Sequence, residues 1–292
     1  MQQLRLLDSA TTAEVVNVSS VPQRSPFRYP GGKTWLVPQV RLWLNALGQK
    51  PRLLVEPFAG GAIIGLTAAF EGLAEKVVLV ELDEQVASVW HVILGGEAEW
   101  LANRLLGFKM CRENLEDELN KTADSVRETA FQTILRNRTN HGGIMAPGAG
   151  FIKYGENGKG VSSRWYPETL ARRIREISNI RERISFVQRD GFAVIREFME
   201  EKNIAFFIDP PYTAAGKKAG MRLYNHCTID HEELFTMAES LNGPFLMTYD
   251  DAVGVREMAA NHGFQVKTVT MSNTHHNKME ELLISKNLDW VR

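Results

Sequence analysis

Five consecutive apolar residues, Ile204-Ala205-Phe206-Phe207-Ile208, leave no polar face for water. A strand built from them is buried on both sides, as in a parallel sheet covered by helices. The segments around it repeat the theme. Leu53-Leu54-Val55 reads as a short strand and 61–70 as a helix; Val77–Val80 reads as a second strand, and 84–94 as an amphipathic helix with Val86, Val89, Trp90 and Ile93 on one stripe. The alternation resumes with a strand over 184–187, a helix over 192–199 and the 204–208 run. A helix near 231–240, a strand over 245–248, a helix near 253–261 and strands around 266–270 and 282–285 complete it. Such an order predicts an α/β fold: a Rossmann-like, mostly parallel sheet with helices on both faces and a closing antiparallel strand pair.

Residues 95–183 break this rhythm and are richer in Arg and Asn, which marks an inserted, mainly helical lobe within a sheet domain of 25–94 and 184–292. Residues 1–24 lack clear periodicity and read as an arm. With 34 basic and 35 acidic residues the net charge is −1, so the chain does not coat nucleic acid through overall charge; any such binding needs a local basic face. There is no apolar run of membrane-spanning length and no basic-then-apolar leader, so a cytoplasmic protein without a membrane partner is expected. Cys111 and Cys227 stand far apart and outside any Cys/His ligand spacing, which predicts reduced thiols and no structural zinc.

Chemistry concentrates where strands end. Asp209-Pro210-Pro211-Tyr212 follows the buried run, in the crevice region where open α/β sheets bind ligands. An acceptor carboxylate, prolines of fixed φ and an aromatic plate make a rigid slot for a flat ring bearing an amino group. Pro-Pro as a simple chain stop and Tyr as core are the plain alternatives. Glu56-Pro57-Phe58-Ala59-Gly60-Gly61 follows the first strand; its glycines allow close backbone approach, and its acid favours a ligand with a cationic centre, such as the amino-acid end of S-adenosylmethionine. Glu81 ends the second strand, where a carboxylate accepts from ribose hydroxyls; a helix N-terminal role is the alternative, open also to Asp83 or Glu84. Phe27-Arg28-Tyr29-Pro30-Gly31-Gly32-Lys33 precedes a helix, and either holds a ligand through Lys33 and Tyr29 or is a helix-entry turn with a solvated lysine.

Taken in order, Tyr-Pro-Gly-Gly-Lys, Glu-Pro-Phe-Ala-Gly-Gly, an acid after the second strand and Asp-Pro-Pro-Tyr resemble the Dam-like DNA N6-adenine methyltransferases, from about Pro26 to the last strand pair. The resemblance implies a Rossmann-like methyltransferase sheet and an inserted lobe that recognises DNA. It implies that Tyr29, Lys33, Glu56, Phe58, Gly60 and Glu81 hold S-adenosylmethionine, whose product is S-adenosylhomocysteine, with Asp190 accepting from the cofactor's adenine and Phe192 beside that ring. Asp209 and the Pro210 carbonyl would receive the target amine, and Tyr212 would stack on an adenine flipped out of double-stranded DNA. No metal is required. Arg136, Arg138, Asn140 and His141 lead into a Gly/Pro-rich segment, 140–150, expected as an exposed loop or hairpin that reaches a major groove. Arg164, Arg172, Arg173, Arg175, Arg181 and Arg183 add positive charge, either as phosphate contacts or as the solvated side of the apolar helical stripe of Leu170, Ile174, Ile177 and Ile184. Cytosine N4 methylation and a catalytically silent DNA-binding module are the rival readings, and a cognate restriction endonuclease is an expected partner.

Overall fold

The computed structural model describes residues 21–28, 32–146, 148–211, 229–272 and 278–291. Tyr29, Tyr212, Cys227 and nearly all of the expected arm lie outside the described residues.

Seven strands form one sheet: β1 (Leu53–Glu56), β2 (Lys76–Val80), β3 (Ile184–Val187), β4 (Ile204–Ile208), β5 (Phe245–Asp250), β6 (Gln265–Ser272) and β7 (Lys278–Ser285). Their spatial order is β3-β2-β1-β4-β5-β7-β6. The first five run parallel, while β7 is antiparallel to both β5 and β6. The fold is therefore the mostly parallel Rossmann-like sheet that the alternation predicts. The closing pair is longer than the sequence suggests, because its register runs from Gln265 opposite Ser285 to Ser272 opposite Lys278.

The helices are α1 (Val37–Ala46), α2 (Ile63–Glu71), α3 (Glu84–Leu94), α4 (Ala98–Leu106), α5 (Arg112–Leu119), α6 (Val126–Thr139), α7 (Pro167–Asn179), α8 (Gly191–Phe198), α9 (His231–Ser240) and α10 (Val253–Asn261). Several start where a side-chain oxygen satisfies the first free amides: Asp83 accepts from Gln85 and Val86, Asp190 from Ala193 and Asp230 from Glu233. Successive strand residues alternate between two cores. Leu54, Leu79, Phe207, Leu246 and Leu283 pack with α1, α2 and α3, whereas Val55, Val80, Phe206, Ile208 and Met247 pack with α8, α9 and α10.

Helices α4 to α7 come from the expected insert and share the first of these cores. Leu101, Phe131, Ile134, Leu170, Ile174 and Ile177 join the cluster that contains Trp90 and Ile93 of α3. Burying Leu170, Ile174 and Ile177 stabilises the docking of arginine-rich α7 by about 1.5–3 kcal/mol each before ordering costs. Among the described residues no helix is long and apolar enough to cross a membrane.

The strand order reverses direction between β1 and β4, so the connections leaving them depart to opposite faces and open a crevice at their carboxyl ends. Glu56 closes β1 and Asp209 follows β4 at this point.

Candidate active site

A cavity of about 840 Å³ opens at these strand ends, and it gathers Lys33, Glu56, Phe58, Gly60, Glu81, Asp190, Asp209 and Pro210 on its walls. Residues that the sequence separates by up to 177 positions thus meet at one place, the acids from strand ends and Lys33 from the turn before α1.

Asp209 is fixed before any ligand arrives. Its Oδ1 accepts from the Thr248 hydroxyl at 2.8 Å and lies 3.1 Å from the Lys33 ammonium, which in turn sits 2.6 Å from Glu281 Oε1. Period-two geometry explains the meeting. Asp209 shares a sheet face with Phe207, Thr248 with Leu246, and Glu281 with Leu283, and all three of those apolar residues belong to the core beneath α1. Lys33 enters over this face from the turn just before α1. Burial opposes its charge, but Asp209 and Glu281 outweigh that effect and raise the Lys33 pKa, so the ammonium stays protonated. The alternative of a solvated lysine is corrected here: Lys33 is buried, and its 2.6 Å and 3.1 Å partners are two carboxylates of the chain itself.

Glu56 lies on the same face and is only 3% exposed. Its Oε2 accepts from the Gly65 amide at 2.8 Å, and a Cβ at residue 65 would lie 2.5 Å from that oxygen, so only glycine lets α2 come this close. Burial, joined by the nearby charge of Asp209, pushes the Glu56 carboxyl well above the usual range. Such a group releases its proton when a cation comes beside it.

Glu81 accepts from three backbone amides: Leu82 at 2.8 Å, Asp83 at 2.9 Å and Gly60 at 3.0 Å. The helix-cap alternative belongs to Asp83, so Glu81 remains as the strand-end carboxylate on the cavity wall. Burial dominates over those amides and pushes its carboxyl up to about 7. Gly60 shapes the wall without offering its amide to a ligand: its N–H serves Glu81 and its carbonyl accepts from the Trp90 indole at 3.0 Å.

Asp190 is exposed on the cavity rim and spends Oδ1 on the Ala193 amide at 3.0 Å. Phe192 is corrected from a wall residue to a supporting one. It is buried in the second core, edge-on to Phe58 at 6.1 Å, and Phe58 is the ring that faces the cavity.

The four expected DNA-contact residues do not share one loop. Arg136 and Arg138 belong to the last turn of α6. Arg136 donates to Gln132 at 3.3 Å and lines a separate cavity of about 330 Å³ together with Asn140. Asn140 is buried and bonds the Ile144 carbonyl at 2.8 Å, so its amide closes the loop instead of projecting from it. A bridge from Asn140 to Phe151 makes 140–151 hairpin-like, with His141 exposed at its start. Arg138 faces the main cavity, as do Arg28, Arg164 and Arg173. The sequence misses Arg28, Thr248 and Glu281, although an acid leading the apolar run Leu282-Leu283-Ile284 is a signal for a buried partner.

No family model matches the chain, and no curated protein matches it. Among solved structures, the rRNA methyltransferase aviRa from Streptomyces viridochromogenes is similar at 12% identity and a TM-score of 0.42, over 93% of each chain. A precorrin-6y C5,15-methyltransferase from Geobacter metallireducens GS-15 is similar at 11% identity and a TM-score of 0.36, over 85% of each chain. Likeness at this level carries no functional weight, and the reading of the site rests on its own geometry.

Proposed function

We propose that the chain transfers a methyl group from S-adenosylmethionine to the N6 amine of adenine in double-stranded DNA. The observation that carries this reading is the fixed carboxylate Asp209, which opens Asp209-Pro210-Pro211 and shares one cavity with Glu56, Glu81 and Asp190. The cavity, about 840 Å³, falls in the range of cofactor sites, and its side chains suit the group: Glu81 accepts from ribose hydroxyls, Asp190 and Phe58 meet the adenine, and Glu56 faces a cationic end. When bound, S-adenosylmethionine supplies a methyl group on an electrophilic sulfonium.

The chain's own contribution is placement. An exocyclic amine is a poor nucleophile because its lone pair is delocalised into the ring. Asp209 and the Pro210 carbonyl accept its two hydrogens and turn the lone pair out of the ring plane. Thr248 and Lys33 keep the carboxylate in position, so little reorganisation accompanies the reaction. Asp209 then holds the proton as positive charge develops on the nitrogen. The base reaches this slot only after leaving the duplex, and Tyr212, the residue after Pro211, is assigned to stack on it.

Modified-base sequencing of DNA from cells expressing the chain tests the reading. The expected result is N6-methyladenine at one short motif, absent with Asp209→Ala. N4-methylcytosine, methylation of RNA alone, or unmodified DNA despite bound cofactor would overturn it.

A further inference from the structure

Arg28, Arg138, Arg164 and Arg173 line the cavity from the segment before Lys33, from α6, from the turn before α7 and from α7. They lie close enough to act on one another: Arg28 feels Arg164, and Arg138 feels both Arg28 and Arg173, while Glu156 acts in the opposite sense on Arg28 and Glu176 on Arg173. Burial and then these neighbours lower the Arg138 pKa to about 9. Among the described residues the one carboxylate within ion-pair distance of the four is Glu156, 2.6 Å from Arg164. Arg138 is 6% exposed, and its Nε has no hydrogen-bond partner; the same holds for Arg173 Nε and Arg28 Nη1.

Stapling does not explain this excess of cations. Arg138 donates to the Pro26 carbonyl and Arg173 to the Ser25 carbonyl at 3.0 Å, which ties 25–28 to α6 and α7. Neutral Asn137 does the same work nearby, donating to the Arg28 carbonyl at 2.8 Å and accepting from the Arg28 amide at 2.8 Å. Gly143 packs against Arg28 so closely that a Cβ there would lie 2.3 Å from its carbonyl oxygen, which holds the loop of 140–151 on this wall as well. A buried cation without a counter-charge is costly, and forks of unpaired N–H groups match the oxygens of an oxyanion.

We propose that this wall is a phosphate subsite, which takes one phosphodiester group beside the nucleotide whose amine enters the Asp209 slot. The assignment rests on the nucleic-acid reading above. The amino-acid end of a cofactor carries an ammonium beside its carboxylate, which a wall of four arginines repels, whereas a phosphodiester presents two oxygens that share a negative charge and no cation. Recession favours the same choice: the backbone of an intact duplex stays at the surface, whereas the phosphate of an extruded nucleotide follows its base inward.

Two substitutions that leave buried Arg138 in place, Arg28→Met and Arg164→Met, are combined in one variant. Inorganic phosphate at constant ionic strength should raise the melting temperature of the wild type and have little effect on the variant, while S-adenosylhomocysteine stabilises both equally. For a duplex containing the methylated motif, the variant should bind roughly 10- to 100-fold more weakly. Its salt dependence should also fall by about one phosphate contact. A methylphosphonate next to the target adenine should weaken the wild type by a similar factor and leave the variant unchanged. A wild type indifferent to phosphate overturns the proposal, as does a variant that loses S-adenosylhomocysteine binding while keeping its phosphate response. A phosphate response abolished in the variant, with no DNA methylation by the wild type, upholds the subsite and rejects the DNA reading.

Discussion

At the strand ends the Lys33 ammonium stands between two carboxylates, 2.6 Å from Glu281 and 3.1 Å from Asp209, and Glu56 favours its protonated form. On the wall from 25–28, α6 and α7, four guanidiniums have one carboxylate within ion-pair distance among the described residues, and three of them keep buried N–H groups without partners there. The contrast shows two uses of buried charge in one cavity. Internal pairing holds an acceptor in place for chemistry, whereas unmatched charge stores attraction for a group that must come from outside.

The contrast breaks most readily at Asp209. Asp209→Ala should lower methyl transfer by about 10²- to 10⁴-fold, while S-adenosylhomocysteine still raises the melting temperature. Turnover near the wild-type rate would remove the acceptor role. Next in size is Lys33→Met, which leaves Asp209 and Glu281 without their shared cation. Urea unfolding should show a loss of about 3–5 kcal/mol, part of which the added change Glu281→Gln restores. Strict additivity of the two changes would show that the pairing stabilises nothing.

Glu81 supplies a pH test. Its folded carboxyl titrates near 7 against an ordinary 4.5, so the folded state holds the proton more tightly than the unfolded chain. The stability it contributes is complete below about pH 4.5 and is lost as pH rises through 7, by at most about 3 kcal/mol. Glu81→Gln should flatten that part of the stability curve, and superimposable curves would rule out the shift. Smallest is Arg136→Ala. Because this guanidinium faces the separate 330 Å³ cavity, duplex binding and its salt dependence should stay within about 0.5 kcal/mol of wild type. A loss equal to that of the combined Arg28→Met and Arg164→Met variant would merge the two basic regions.

The sheet was legible because its signals are local. The run 204–208 is buried in full, as five apolar residues demand, and the strand ends before Asp209 as Pro-Pro requires. Glu56, Glu81, Asp190 and Asp209 were placed by the same logic. The basic face was legible only in part: the Gly-rich stretch was expected as an exposed loop or hairpin and is hairpin-like, whereas the turn of Arg138 from the preceding helix into the cavity depends on side-chain direction. Arg173, expected on the solvated side of α7, reaches Ser25 instead.

What the amino-acid order determined alone is the alternation of strands and helices and the acids that close those strands, since periodicity and motif act over a few residues. The ion pair from Lys33 to Glu281 spans 248 positions, and the arginine wall draws on four separate segments. Only the packed chain decides such contacts, because the energy of a charge depends on its burial and on which distant neighbours the sheet order brings within a few ångströms.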